Sequence, residues 1–276
     1  MPKQATPPTT TSTIPPAPPK SKPTPPIPPS LYHTTLTSIT SNPSTHGTTL
    51  TAYVLGTHTT LAAAHPFSLS ALPRLGYAAS DFSAYHTQPS TVPSPSWKYG
   101  PSVTVYTAPL PRGPESSKNP SDGGAAPPHF IISIATTPNT SSLLENTADQ
   151  TVLLPSGSSP GPDELHYVLQ TKTDYSRNRT PPPAPAGQDG FQTVDVEGCY
   201  LTREDAVEAA KGVLARMEMD GGTTQWDVKG DGEGYWPFGE DTVVHAVGDM
   251  GETYAVEVRT ARGGVERFAK PMVEVQ

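Results

Sequence analysis

The chain has 276 residues, with 35 Pro, 23 Gly, one Cys and a formal net charge of −8. The excess is in proline rather than glycine, and the single Cys199 excludes an intramolecular disulfide, which is the usage of a cytosolic or nuclear protein. Residues 1–150 carry 7 basic against 5 acidic side chains and residues 151–276 carry 11 against 21, so the acidic second half argues against binding a nucleic-acid backbone.

Residues 1–30 hold 12 prolines, interspersed with Thr, Ser and Lys and free of acid. Such a segment buries too little apolar surface to offset its ordering entropy, which predicts a disordered tail of polyproline II character. Lys22-Pro-Thr-Pro-Pro-Ile-Pro28 and Pro15-Pro-Ala-Pro-Pro-Lys20 fit the two orientations of an SH3 ligand. The segment lacks the apolar core of a secretory signal, and no run has the length of a membrane helix.

The next stretch, residues 31–138, reads as one α+β module. Strands are predicted at Tyr32 to Ile39 and Thr49 to Gly56. A helical stretch follows from Thr60 to Leu75, bent or broken by Pro66 and Pro73, which lack an amide donor. Strands at Phe82 to Thr87, Ser102 to Thr107 and Phe130 to Thr136 complete it, with a loop from Ala108 to Pro128 rich in Pro, Gly and Ser. Residues 139–163 read as a linker, within which Thr151-Val-Leu-Leu154 is apolar enough to form an extra strand.

A second module is predicted over residues 164–268, followed by a tail of residues 269–276. Its strands are Leu165 to Asp174 and Thr193 to Tyr200. Its helix runs from Thr202 to Met217, with Thr202 as cap, Glu204 and Asp205 in the first turn and Gly221-Gly222 after its end. Ala206, Ala210, Val213, Leu214 and Met217 form the helix's apolar stripe. Thr223 to Val228, Thr242 to Val247 and Thr253 to Arg259 are the remaining strands. Each module is thus ββαβββ, a mainly antiparallel sheet with one helix on one face.

The two modules read as tandem pseudo-repeats. Gly56-x-x-x-Thr60-x-x-x-Ala64 aligns with Gly198-x-x-x-Thr202-x-x-x-Ala206, an offset of 142 (198 − 56). Trp97-x-x-Gly100 aligns with Trp236-x-x-Gly239 at 139 (236 − 97), and Phe130 to Ile134 with Tyr254 to Val258 at 124 (254 − 130). The order is kept while the offset shrinks, as when loops drift in a supersecondary unit used twice.

Together with Leu75-Gly-Tyr77, Asp81-Phe82, Tyr85 and Thr171-x-Thr-Asp-Tyr-Ser176, these motifs resemble small uncharacterised proteins of filamentous fungi over about 200 residues. The resemblance implies no activity. The second half lacks counterparts of the Leu-Gly-Tyr and Asp-Phe pairs after its helix.

Residues with chemistry are few and scattered. The eight histidines include no i, i+4 pair, and Asp227-x-x-x-Asp231-x-Glu233 fails as a calcium loop because Lys229 and Phe238 stand where ligands are required, so no metal or cofactor is expected. Neither a nucleophile elbow nor a phosphate-cradling glycine loop occurs. Cys199 reads as a packed residue on a strand. Trp97 and Trp236 either close the end of each sheet or form paired binding platforms, and Lys172, Arg177 and Arg179 cluster as a basic group able to hold an anion or an acidic partner.

The leading expectation is a non-enzymatic binding protein that contacts a protein or a small molecule, in cytoplasm or nucleus, without nucleic acid or membrane, and with an SH3-type partner for the tail. The alternative is a small-molecule enzyme of lyase or isomerase type with a pocket between the modules, where His58 and Tyr200 precede the two helices and His245 and Asp174 assist as acid-base groups.

Overall fold

The computed structural model describes residues 26–41, 48–92, 94–110, 128–154, 165–174, 191–219, 223–230 and 235–270. Most of the proline-rich tail, residues 111–127 of the Ala108 to Pro128 loop, the 155–164 and 175–190 segments, the Gly221-Gly222 pair and the last six residues lie outside this range. Residues 26–29, expected in the tail, are tied down: Glu145 N donates to Pro26 O and Asn139 N to Pro29 O.

The fold is mainly β, with two antiparallel sheets and four helices among the described residues. The first sheet has seven strands: β1 (Ser30–Ser41), β2 (Thr48–His58), β3 (Ala84–Thr87), β4 (Val103–Ala108), β5 (His129–Pro138), β6 (Glu145–Asn146) and β7 (Thr151–Val152), ordered β3-β4-β5-β1-β2-β7-β6. The second has five: β8 (His166–Asp174), β9 (Phe191–Tyr200), β10 (Thr223–Val228), β11 (Thr242–Gly248) and β12 (Thr253–Thr260), ordered β10-β11-β12-β8-β9. Residues 139–152 are therefore no simple linker. Asn139 Oδ1 and Nδ2 brace Leu143 N and O, Leu143 is buried, and β7 extends the sheet beside His58.

The first five strands and the last five share one pattern of pairing. A bulge at Leu55 in β2 (Gly56 opposite Thr34, Val54 opposite Thr35) has its counterpart at Glu197 in β9 (Gly198 opposite Val168, Val196 opposite Leu169). A second pair of bulges falls at Thr104 in β4 and Val243 in β11. The amides of Gln88 and Lys229 donate to these two bulge residues' carbonyls at the same 2.8 Å. Bulges re-aim a strand and are specific local features, so their recurrence in register is strong structural likeness.

Helices α1 (Leu61–Leu69) and α2 (Ala71–Arg74) lie on the first sheet, and α3 (Arg203–Met219) on the second. Thr60 and Thr202 cap α1 and α3 by accepting from Ala63 N and Asp205 N. The expected break between Thr60 and Leu75 falls at Ser70, and Pro66 stays inside α1. Leu36, Leu55, Leu72, Phe82, Val105, Phe130 and Ile132 form the core beneath α1 and α2, while Val168, Ala206, Ala210, Val213, Val244 and Val256 form the core beneath α3.

Strand alternation puts a second set of side chains on the opposite faces. Leu31 and Val54 of the first sheet meet Tyr167, Leu169 and Cys199 of the second, with Leu143, Val152 and Leu165 completing this third core. The two sheets pack face to face and each helix lies outside its own sheet. Arg259 straps the seam, donating from Nη1 to Ala52 O, pairing from Nη2 with Glu257, and lying 4.2 Å over the Tyr53 ring.

A fourth helix, α4 (Ala261–Phe268), was not expected from the sequence. Its Gly263-Gly264 pair is a poor helix former, and what holds it is tertiary packing. Thr260 caps it, and Phe268 packs edge-on against Tyr53 and Phe130 of the first sheet. Lys270 then donates from its amide to Leu75 O and from Nζ to Asp81. The end of the second half thereby seals the core of the first.

Candidate functional site

The seam between the sheets holds a buried polar relay. Thr57 follows the Leu55 bulge and stands opposite His33, so both side chains turn away from α1 into the seam. His33 Nδ1 bonds Thr57 Oγ1 at 2.9 Å, its Nε2 bonds Thr137 Oγ1 at 2.8 Å, and Thr57 Oγ1 bonds Tyr167 OH of the second sheet at 3.0 Å. A neutral imidazole has one donor and one acceptor nitrogen, and two hydroxyls satisfy both. Burial lowers the His33 pKa from 6.5 to about 4. Thr57 and Tyr167 also border a cavity of about 240 Å³ otherwise lined by Thr151, Val152, Leu154, Leu165 and Ala261. Sequence reading missed this relay because its members are 24, 104 and 110 residues apart; inward strand parity at His33 was the one available signal.

Each sheet extends beyond the seam and ends in an aromatic corner. Tyr99 stacks on Tyr106 at 3.9 Å with planes 15° apart, and Trp97 meets Tyr99 edge-on at 5.1 Å and 73°. In the second sheet Phe238 stacks on His245 at 3.9 Å and 6°, and Trp236 meets Phe238 at 5.0 Å and 74°. Gly100 and Gly239 turn both corners with φ of +104° and +99°, a conformation that favours glycine. These rings are half-buried, and Tyr235, beside the second corner, is 92% exposed. Trp97 Nε1 donates to Gly100 O, tying the indole to its own turn, whereas Trp236 Nε1 is buried with no hydrogen-bond partner among the described residues. The surroundings differ in charge: Lys98 lies over Tyr99 in the first corner, whereas Asp227 pairs across from His245 in the second.

The four acid-base candidates lie at separate places. His58, at the end of β2, is buried against Phe67 of α1 with Nδ1 lacking a partner among the described residues; burial lowers its pKa, with Asp149 opposing and Arg74 adding to the effect. Tyr200 ends β9 and packs at the edge of the α3 core. His245 faces away from α3 beneath Phe238, its pKa lowered by burial against an opposing Asp227. Asp174 is at the far end of β8, paired with Phe191. None of them lines the cavity beside α1 or the cavity at the seam.

Of the basic group, Lys172 is half-buried with Nζ 5.2 Å over the Tyr254 ring, and its pKa is raised chiefly by hydrogen bonding to that tyrosine. Arg177 and Arg179 lie outside the described residues. Cys199 is 4% exposed in the seam core, and burial pushes its thiol up to about 12. Among the described residues, no three His, Cys, Asp or Glu side chains gather as metal ligands, and no helix is long and apolar enough to cross a membrane.

No protein-family model matches the chain, and comparison with curated proteins and with solved structures finds no match.

Proposed function

We propose that this chain is a non-enzymatic binding protein built from one α+β module used twice, over residues 31–138 and 164–268, and that its aromatic corners are the recognition surface. The supporting observation is the recurrence of the same Trp, turn glycine and stacked ring pair at the uncovered end of each sheet. Duplication accounts for the shared strand order and bulge positions, and partly exposed flat rings are effective contact surfaces at little entropic cost. The difference in charge between the corners gives each its own partner chemistry. On this reading the proline-rich tail is a second, SH3-type contact, and the protein works in cytoplasm or nucleus.

A second reading, an enzyme with its site between the modules, draws support from the seam. There the His33–Thr57–Tyr167 relay ends at a cavity, and a tyrosine hydroxyl linked through a threonine to an imidazole can exchange a proton with a bound molecule.

The test is recovery of the tagged full chain from its native cell, with mass spectrometry of co-purifying proteins and metabolites. A species held by wild type and lost from Trp97→Ala or Trp236→Ala, with a native circular-dichroism spectrum, is the expected result. A species kept by both variants and lost from Tyr167→Phe would move the function to the seam.

A further inference from the structure

The first sheet has a cavity that the second lacks the polar groups to form. It measures about 270 Å³ and lies between the start of α1 and the ends of β1, β4 and β5. Its polar lining includes Tyr32, His65, Gln88, Ser102, Thr104 and Thr136, and no Asp, Glu, Lys or Arg borders it.

The matching positions of the second half show what packing alone requires. His65 stands five residues after the cap Thr60, as Val207 stands five after Thr202. Thr104 and Val243 are the extra residues of matching bulges, and Gln88 and Lys229 make the same amide bond to them. Where the second half puts two valines against its core, the first buries an imidazole and a hydroxyl; where the second sends Lys229 Nζ out to Glu240 O, the first buries Gln88 to 3% exposure. Burying polar groups is costly unless they are bonded.

Their bonding is incomplete. His65 Nε2 donates to Gln88 O, Thr104 Oγ1 donates to Ile132 O, and Gln88 Nε2 donates to Ser90 O. Gln88 Oε1 has no partner among the described residues. An orphan acceptor in a native interior calls for an explanation, and here it belongs to a side chain that lines a cavity.

We infer that this cavity binds a small neutral polyhydroxylated molecule of monosaccharide size. The volume lies just below the range of drug-sized ligand pockets, which sets the size. A small turn of the buried Gln88 amide brings Oε1 to a ligand donor, and Thr104 Oγ1, its hydrogen already used, offers a second acceptor. Hydroxyls at Tyr32, Ser102 and Thr136 serve in either sense. Leu61, Pro101 and Ile134 provide the apolar wall against which the C–H face of a sugar ring rests. The uncharged lining disfavours an ionic ligand, whose desolvation nothing there would offset.

The test uses the full chain, isotopically labelled, titrated separately with glucose, galactose and N-acetylglucosamine, with acetamide and glucose 6-phosphate as probes of the alternative chemistries. Saturable shifts of the Gln88 side-chain amide and of the Thr104 and Thr136 backbone amides with at least one neutral sugar are expected. The double variant His65→Val, Thr104→Val, which installs the pair used by the second half, should remain folded and weaken that binding by about tenfold or more. Gln88→Leu should do the same should the double variant misfold. The inference is overturned if no neutral sugar shifts these signals, if acetamide or glucose 6-phosphate binds more tightly than every sugar, or if binding survives in a folded variant.

Discussion

Gly264 lies against Tyr53 so closely that a Cβ on the glycine would stand 2.8 Å from the tyrosine Cβ. The neighbour in the way is the root of a side chain, which moves only with its strand. Gly264→Ala should therefore destabilise the protein by about 1–3 kcal/mol through overpacking. At Gly263 the nearest atom is Thr260 Oγ1 at 3.5 Å, an ordinary contact, so Gly263→Ala should be neutral or stabilise by up to about 1 kcal/mol through helix propensity. Urea unfolding of the two variants measures both. Equal effects would mean that α4 is not pressed against β2.

His33 makes stability depend on pH. Its folded pKa of about 4 lies below the unfolded value of 6.5, so the unfolded chain takes up the proton first as pH falls. The stabilisation is complete above 6.5 and is lost between 6.5 and 4, by at most about 3 kcal/mol. Other histidines with lowered pKa add to the same slope, so the decisive comparison is with His33→Gln. Unfolding free energies at pH 7, 5.5 and 4.5 should fall less steeply in that variant; an unchanged slope would place His33 in contact with water.

The thiol of Cys199 is a marker of the seam. Buried among Leu31, Val54 and Tyr167, with its pKa pushed up to about 12, it has little thiolate to offer at neutral pH. Ellman's reagent should react with it slowly in the native protein and stoichiometrically in denaturant. Rapid reaction without loss of secondary structure would show that the sheets part while each remains folded.

How legible this protein is from sequence follows from whether a signal is local. The caps at Thr60 and Thr202, the apolar stripe from Ala206 to Val213 and the left-handed glycines at the Trp corners rest on spacings of a few residues, and they can be read directly. The helix of Ala261–Phe268 could not, since its own residues disfavour it and Tyr53 and Phe130 hold it from far up the chain. The strand Glu145–Asn146 was similarly hidden, because a two-residue strand has no periodicity and exists through a neighbouring edge, whereas the apolar run from Thr151 to Leu154 does mark the strand Thr151–Val152. The same limit separates the candidate sites. The Trp corners repeat and can be aligned, whereas the His33 relay and the Gln88 cavity are assembled across long separations, and only the second half's Val207 and Val243 reveal that the polar choices at His65 and Thr104 are not demanded by packing.

The packing of Phe268 and Lys270 onto the first sheet also fixes an order of events during synthesis. Domains usually fold as they emerge, the N-terminal one first. Here the N-terminal half emerges without the ring that rests on Tyr53 and Phe130 and without the lysine that bonds Leu75 and Asp81. Those groups arrive only after nearly all of the other half has been translated. The half made first is finished last, and a nascent chain that stops short of residue 268 leaves the rings of Tyr53 and Phe130 without the side chain that packs on them.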